Sequence, residues 1–195
     1  MNPAIILASA SPRRHDLLAR TGIQFEIMHS PAEEIHDASM DPERLCEINA
    51  IIKAGAIATT RPDAVVIGAD TLVFIDGEPL GKPACLDEAR SMLRRLAGRD
   101  HMVCTGVCVI FPEGEREVFH DTTAVTFHPL DDAAIDDYLT RANPLDKAGA
   151  YGIQEHGDRI VAGIRGSFEN VMGLPVDKLT AALANRNIHP PSRHA

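Results

Sequence analysis

The sequence predicts an α/β fold, a mixed twisted sheet flanked by helices, from two observations. Apolar segments of strand length alternate with helical ones, and two long β-rich runs stand next to each other in the second half. A chain of 195 residues, 45% hydrophobic and 24% charged, can bury a core of its own. With no repeat, low-complexity tract or dividing linker, it reads as one domain, 1–195, ending in a polar tail over about residues 187–195.

Residues 4–8, AIILA, read as a buried strand that feeds a helix start, SPRRHDLLARTG, with Ser11 at the N-cap, Pro12 at N1 and Gly22 just past the end. FEIMH returns as a strand, and a polar loop runs from Ser30 to Asp41. A longer helix then starts with Asp41 as N-cap and Pro42 at N1, with Leu45, Ile48 and Ile52 on one face and Lys53 beside it, one turn after Asn49. AVVIGAD is the next buried strand, and TLVFIDGEPL a hairpin turning at Asp76 and Gly77. LDEARSMLRRLAG carries Ala89, Met92, Leu93, Leu96 and Ala97 on one stripe and stops at Gly98. HMVCTGVCVIF and EVFHDTTAVTF, joined by PEGER, form an antiparallel pair. An acidic helix (DDAAIDDYLTRA), a glycine-rich connection (NPLDKAGAYGIQEHG), a strand (RIVAGIRG) and a last helix (LPVDKLTAALANR) complete the order.

The formal net charge of −9 predicts repulsion from nucleic acid and from anionic membrane surfaces, so any anion must meet a local site. No apolar stretch approaches the roughly 18 residues of a transmembrane helix, and the N-terminus has no basic residue ahead of its apolar run, unlike a signal peptide. Cys46, Cys85, Cys104 and Cys108 show no CxxC pairing. They read as reduced cytosolic thiols filling apolar space, with Cys104 and Cys108 on one strand face.

Three constellations carry chemistry. In LASASPRRHDLL the first turn of a helix offers unpaired N–H groups, and Ser9, Ser11, Arg13 and Arg14 add hydroxyls and guanidinium forks, together a phosphate cradle. The alternative is a capped helix followed by solvated arginines. Two cations in a first turn, where the dipole disfavours them, favour an anion. Asp70 in IGADT follows an apolar strand, at the strand end where α/β proteins place ligands, and could hold a hard cation or orient a water; alone it reads more readily as a turn cap. GEPLGKP is no P-loop, having three residues between its glycines and Pro83 after Lys82, but Lys82 could meet a phosphate as a point charge. Glu33, Glu34 and Lys53 complete the pattern of carboxylates for a divalent cation and cations for a polyphosphate. No HExxH, GxSxG or GxGxxG spacing is present, against zinc, serine-hydrolase and dinucleotide readings.

ILASASPRRHDLL, VIGADTLV, LGKP, MLRRLAGRDHMVCTGV, PLDKAGAYGIQ and GSFENVMGLPV resemble, in order and spacing, the Maf family of nucleoside triphosphate pyrophosphatases nearly from end to end. The resemblance implies a Maf and inosine triphosphatase-like fold with two lobes around a central cleft. It also implies a homodimer that hydrolyses a nucleoside triphosphate to the monophosphate and pyrophosphate with a divalent metal, Mg2+ or Mn2+, and the reduced thiols make the cytoplasm its expected location. Carried over by position, Asp70 is the proton acceptor and, with Glu34, a metal neighbour. Ser9, Ser11, Arg13 and Arg14 take the triphosphate, with Lys53 and Lys82 closing over it. Arg13, Thr71 and Gln154 match the members that act on dTTP and UTP, whereas 7-methyl-GTP-type members carry Trp, Gln and Glu there. A glutamine amide suits the mixed donor and acceptor edge of a pyrimidine, while a carboxylate only accepts. EHGD, just after Gln154, departs from the small residues often found there. Two alternatives stand beside this expectation: a pyrophosphatase for modified purine nucleotides such as 7-methyl-GTP, and a nucleotide-sensing regulator of cell division, since the family is also associated with inhibiting septum formation.

Overall fold

The computed structural model describes residues 3–37 and 39–190, so the end of the polar tail, 191–195, lies outside the described residues. Strands β1 (Ile5–Leu7), β2 (Glu26–Ile27) and β3 (Val65–Ile75) are parallel. Strands β4 (Glu78–Leu80), β5 (Asp100–Ile110), β6 (Arg116–Phe127) and β7 (Val161–Arg165) join antiparallel. Among the described residues they make one seven-stranded mixed sheet ordered β2-β1-β3-β5-β6-β7, with β4 also on β3. The helices are α1 (Pro12–Arg20), α2 (Pro42–Ala58), α3 (Leu86–Leu96), α4 (Asp132–Arg141), α5 (Phe168–Met172) and α6 (Val176–Ala184).

The β5–β6 pair and the turn at Asp76 and Gly77 form as expected, with φ of 56° and 79° at the two turn residues, as a primed hairpin turn requires. β3 differs. The sequence divides residues 64–80 at Asp70 into a strand and a hairpin, but β5 pairs with β3 without a break from Val66 to Phe74, and Asp70 stands in mid-strand. The opposite edge opens the site. There β1 takes Val65–Ile67 and β4 takes Val73–Ile75, leaving residues 68–72 without a strand partner. At about 3.3 Å per residue the gap from Ile67 to Val73 spans roughly 20 Å. Because alternate side chains leave opposite faces, Asp70 faces α2 and Thr71 faces α1, and both border the same gap.

The buried face of α2 also differs from the expected one. Leu45 is buried, but Ile48 and Ile52 are half-buried, while Cys46, Asn49, Ala50, Ala54 and Ile57 meet the sheet. Close approach explains this. A Cβ on Gly68 would stand 2.4 Å from the Ala50 carbonyl oxygen, and one on Gly106 2.4 Å from the Cys46 carbonyl carbon, so only a helix face of mostly small residues fits. Cys104 and Cys108 lie buried on this same side, with the Cys46 thiol donating to the Cys104 carbonyl at 3.3 Å. Cys85, expected in apolar space, is exposed: it caps α3 outside the core.

Three clusters form the core. α1, α6 and the first half of β3 bury Leu17, Leu18, Ile67, Leu179 and Leu183, and α2 covers the other face with Ala50, Ala54 and Ile57. The second half of β3 packs with α3, α4 and Tyr151 around Val73, Leu93, Leu96, Ile135 and Tyr138. The two halves of β3 thereby serve two lobes, and the edge gap between them is the cleft.

Candidate active site

The first wall of the cleft is the chain leaving β1. The Ser9 hydroxyl accepts from the Ser11 amide at 3.2 Å, turning the backbone into α1. Ser11 occupies the N-cap position without a side-chain cap bond, which leaves its hydroxyl for another partner. Arg14 reaches across the gap, donating Nε–H to the Gly173 carbonyl at 2.7 Å, Nη2–H to Thr71 Oγ1 at 2.8 Å and Nη1–H to Ser9 Oγ at 3.4 Å. Thr71 is itself 3.0 Å from Thr105 Oγ1, which donates to the Asn170 carbonyl at 3.0 Å. Burial lowers the Arg14 pKa, with Asp70 opposing the shift. Its direct partners are neutral oxygens. The solvated-arginine alternative therefore fails for Arg14.

The floor carries the carboxylates. Lys53 Nζ lies 2.7 Å from Asp70 Oδ1 and 2.7 Å from Glu34 Oε1. Asn49, one turn earlier on α2, donates to Asp70 Oδ2 at 3.1 Å, and its amide pairs with both the N–H and the carbonyl of Ile35. One buried amide thus ties the Glu34 loop to the Asp70 strand. Burial alone would raise the Asp70 carboxyl pKa, but Lys53, Arg14 and Asn49 outweigh it and hold the group below the ordinary carboxylate value.

The opposite wall follows β4. Gly81 accepts from the Gly149 amide at 3.1 Å, and Lys82, exposed, makes no ion pair among the described residues. Behind it runs the glycine-rich connection. Gly149 has φ of 68° and packs on Val73, so a side chain there would be strained. Lys147, only 3% exposed, pairs with Asp146 at 2.7 Å and Glu155 at 2.9 Å, and Asp146 in turn meets Arg13 at 3.2 Å. Gln154 donates to Glu155 Oε1 at 3.4 Å. Tyr151 is backed by His101, whose Nε2 is 2.7 Å from its hydroxyl.

The cleft between these walls encloses about 760 Å³. Ser9, Ser11, Arg13, Arg14, Glu34, Lys53, Asp70, Thr71, Lys82 and Gln154 all line it, although the sequence separates them by up to 145 positions, from Ser9 to Gln154. Glu33 is exposed and does not line it. Asn49, Asp146, Lys147 and Thr105 join the site without being among the candidate residues of the sequence. Asn49 had a visible signal, a polar residue four positions before Lys53 and so on the same helix face; Lys147 lies in a connection with no periodicity to mark it as buried.

Two carboxylate oxygens that converge on one ammonium suit a hard divalent cation as well. Among the described residues no group of three or more His, Cys, Asp or Glu side chains is placed to hold a metal. A pair of carboxylates fits Mg2+, which usually takes one or two from the protein and completes its shell with substrate phosphates and water.

A mixed sheet with a cationic wall, an N-terminal helix turn and two carboxylates around an edge cleft defines the α/β class of this protein. Its fold is similar to that of the Staphylococcus aureus Ham1 protein, with a TM-score of 0.57 and 17% identity, covering 94% of this chain and 99% of that one. The chain belongs to the Maf-like protein family, whose model matches residues 4–186. It is 51% identical to a dTTP/UTP pyrophosphatase of Akkermansia muciniphila, over 90% of this chain and 93% of that one. It is 50% identical to a dTTP/UTP pyrophosphatase of Bacillus velezensis, over 96% of this chain and 99% of that one. No helix among the described residues is long and apolar enough to cross a membrane.

Proposed function

We propose that this chain, acting as one domain, hydrolyses dTTP and UTP to the monophosphate and pyrophosphate. The observation that carries the reading is Arg14: a guanidinium in the first turn of α1 held among neutral oxygens, opposite a carboxylate pair. With no direct ion pair of its own, it keeps its charge available for an anion. The names of the relatives supply the substrate class.

In this reading Ser9, Ser11, Arg13, Arg14 and Lys82 bind the triphosphate. Lys53 exchanges part of its contact with Glu34 and Asp70 for phosphate oxygens. A water attacks the α-phosphorus, the bond to the α–β bridging oxygen breaks, pyrophosphate departs, and the water's proton passes to Asp70. The carboxylate is ionised and oriented by Asn49 before substrate arrives, so it needs little rearrangement. Glu34 and Asp70 would hold Mg2+ or Mn2+, which supplies Lewis-acid neutralisation of phosphoryl charge. Gln154 reads the pyrimidine edge, with Arg13 and Thr71 completing the selection. The family resemblance extends the proposal to a homodimer, and the unpaired thiols extend it to the cytoplasm, which equilibrium sedimentation of the purified chain and fractionation of cells check.

The test is pyrophosphate release from a panel of nucleoside triphosphates with Mg2+. dTTP and UTP should give the highest kcat/KM. Preference for 7-methyl-GTP over both would overturn the substrate assignment, and absence of pyrophosphate from every triphosphate would overturn the activity.

A further inference from the structure

The glycine-rich connection holds a buried charge that the proposed chemistry does not use. Lys147 is 3% exposed, yet it neither faces the carboxylates of the floor nor pairs with one partner alone. Its ammonium binds Asp146 at 2.7 Å and Glu155 at 2.9 Å, and its stem lies under Gly152, where a Cβ would stand 2.7 Å from Lys147 Cε. Each carboxylate then reaches one residue of the cleft. Asp146 Oδ2 accepts from Arg13 Nη1 at 3.2 Å, and Glu155 Oε1 accepts from Gln154 Nε2 at 3.4 Å. A continuous polar chain therefore runs from the first turn of α1 to the base-reading amide.

The chemistry of that chain has a direction. A carboxylate accepts hydrogen bonds and cannot donate them, so Glu155 admits only the NH2 end of the Gln154 amide. Gln154 Oε1 has no hydrogen-bond partner among the described residues. An unrestrained glutamine can turn its amide over to suit either base edge: uracil and thymine present a ring N–H between two carbonyls, whereas cytosine presents a ring nitrogen acceptor beside an amino group. With its NH2 end drawn to Glu155, the amide leaves its carbonyl oxygen for the base. Glu155 is kept there by an ammonium that is itself almost wholly desolvated, although the carboxylate is 34% exposed.

We propose that Glu155, anchored by the buried Lys147, is a positioning residue that fixes the Gln154 amide so that the cleft selects a base with a ring N–H donor over one with a ring nitrogen acceptor. This inference rests on the dTTP and UTP reading above. It concerns two of this chain's own residues, Glu155 and Lys147, joined at 2.9 Å.

The test compares kcat/KM for UTP and CTP in the wild-type protein, Glu155→Ala and Glu155→Gln, with inhibition by inorganic tripolyphosphate, which has no base, as a second readout. The wild type should prefer UTP. Glu155→Ala should lower the UTP-to-CTP ratio at least fivefold, through KM for UTP more than through kcat, with tripolyphosphate inhibition within twofold of wild type. Glu155→Gln, which keeps an acceptor oxygen, should fall between the two. A ratio unchanged in Glu155→Ala overturns the inference, as does a wild type indifferent to the two bases or a parallel loss of tripolyphosphate inhibition, which would mark a merely structural role. A wild type that cleaves neither nucleotide overturns the functional reading itself, an outcome distinct from all of these.

Discussion

The Asp70 carboxylate is buried, ionised and held by Lys53 and Asn49 at the edge of the cleft. Asp70→Asn keeps the shape and removes the proposed base and one proposed cation ligand, so the rate of dTTP hydrolysis should fall at least about a hundredfold, about 3 kcal/mol of barrier. Steady-state kinetics check it, and a loss under tenfold would remove Asp70 from the chemistry. Because the Asp70 pKa is depressed, its protonation does not limit activity until the pH falls below the ordinary carboxylate range. His101 titrates in a more accessible window. Burial lowers its pKa to about 4, so the folded protein holds it neutral while the unfolded chain takes a proton near pH 6.5. The stability this contributes is present above pH 6.5 and is lost as the pH falls toward 4. Denaturant titrations should show about 2 kcal/mol more loss between pH 7 and pH 5 in the wild type than in His101→Phe. Equal pH slopes in the two proteins would show that His101 is not held neutral.

At the scale of elements, the site depends on how closely α2 lies on the sheet. Gly68 and Gly106 admit the helix backbone, and that approach brings Asn49 and Lys53 to Asp70. Gly106→Ala places a methyl against the backbone of Cys46 and Glu47 and should cost about 1–3 kcal/mol of stability. It should also lower kcat, because the helix carries Lys53. Gly55→Ala on the open side of the same helix meets nothing within 4 Å and should stabilise by about 0.5–1 kcal/mol. Thermal or urea unfolding of the two variants checks the contrast, and equal effects would deny that close approach matters. The sequence showed α2 but not its buried side. Leu45, Ile48 and Ile52 make an apolar stripe by periodicity, whereas the sheet selects small residues, and the reason lies in two glycines far along the chain. α5 was missed for a simpler cause: five residues between the Ser167 cap and Gly173 are too few to show a period.

At the scale of the whole molecule, an acidic chain concentrates cations around one cleft. The alternation of strands and helices, the helix start after β1 and the Ser9–Arg14 wall were legible in the sequence because each rests on local chemistry: an N-cap, a proline, an apolar run; Thr71 and Gln154 were legible only through the family resemblance. The cleft itself was not legible. It exists because β1 and β4 share one edge of β3 and leave residues 68–72 open between them, which depends on pairings that no local pattern records. Asp70 was expected at a strand end and stands instead beside this gap. The ion pairs through Lys147 were hidden for the same reason, since a lysine in a glycine-rich connection gives no local sign of burial.

The proposed chemistry brings water to the α-phosphorus of a pyrimidine nucleoside triphosphate. Its sharpest check is hydrolysis of dTTP with Mg2+ in water enriched in oxygen-18, followed by mass analysis of both products. The expected products are dTMP carrying the label in its phosphate and unlabelled pyrophosphate. Label in the pyrophosphate, or release of orthophosphate and dTDP, would contradict the proposed chemistry.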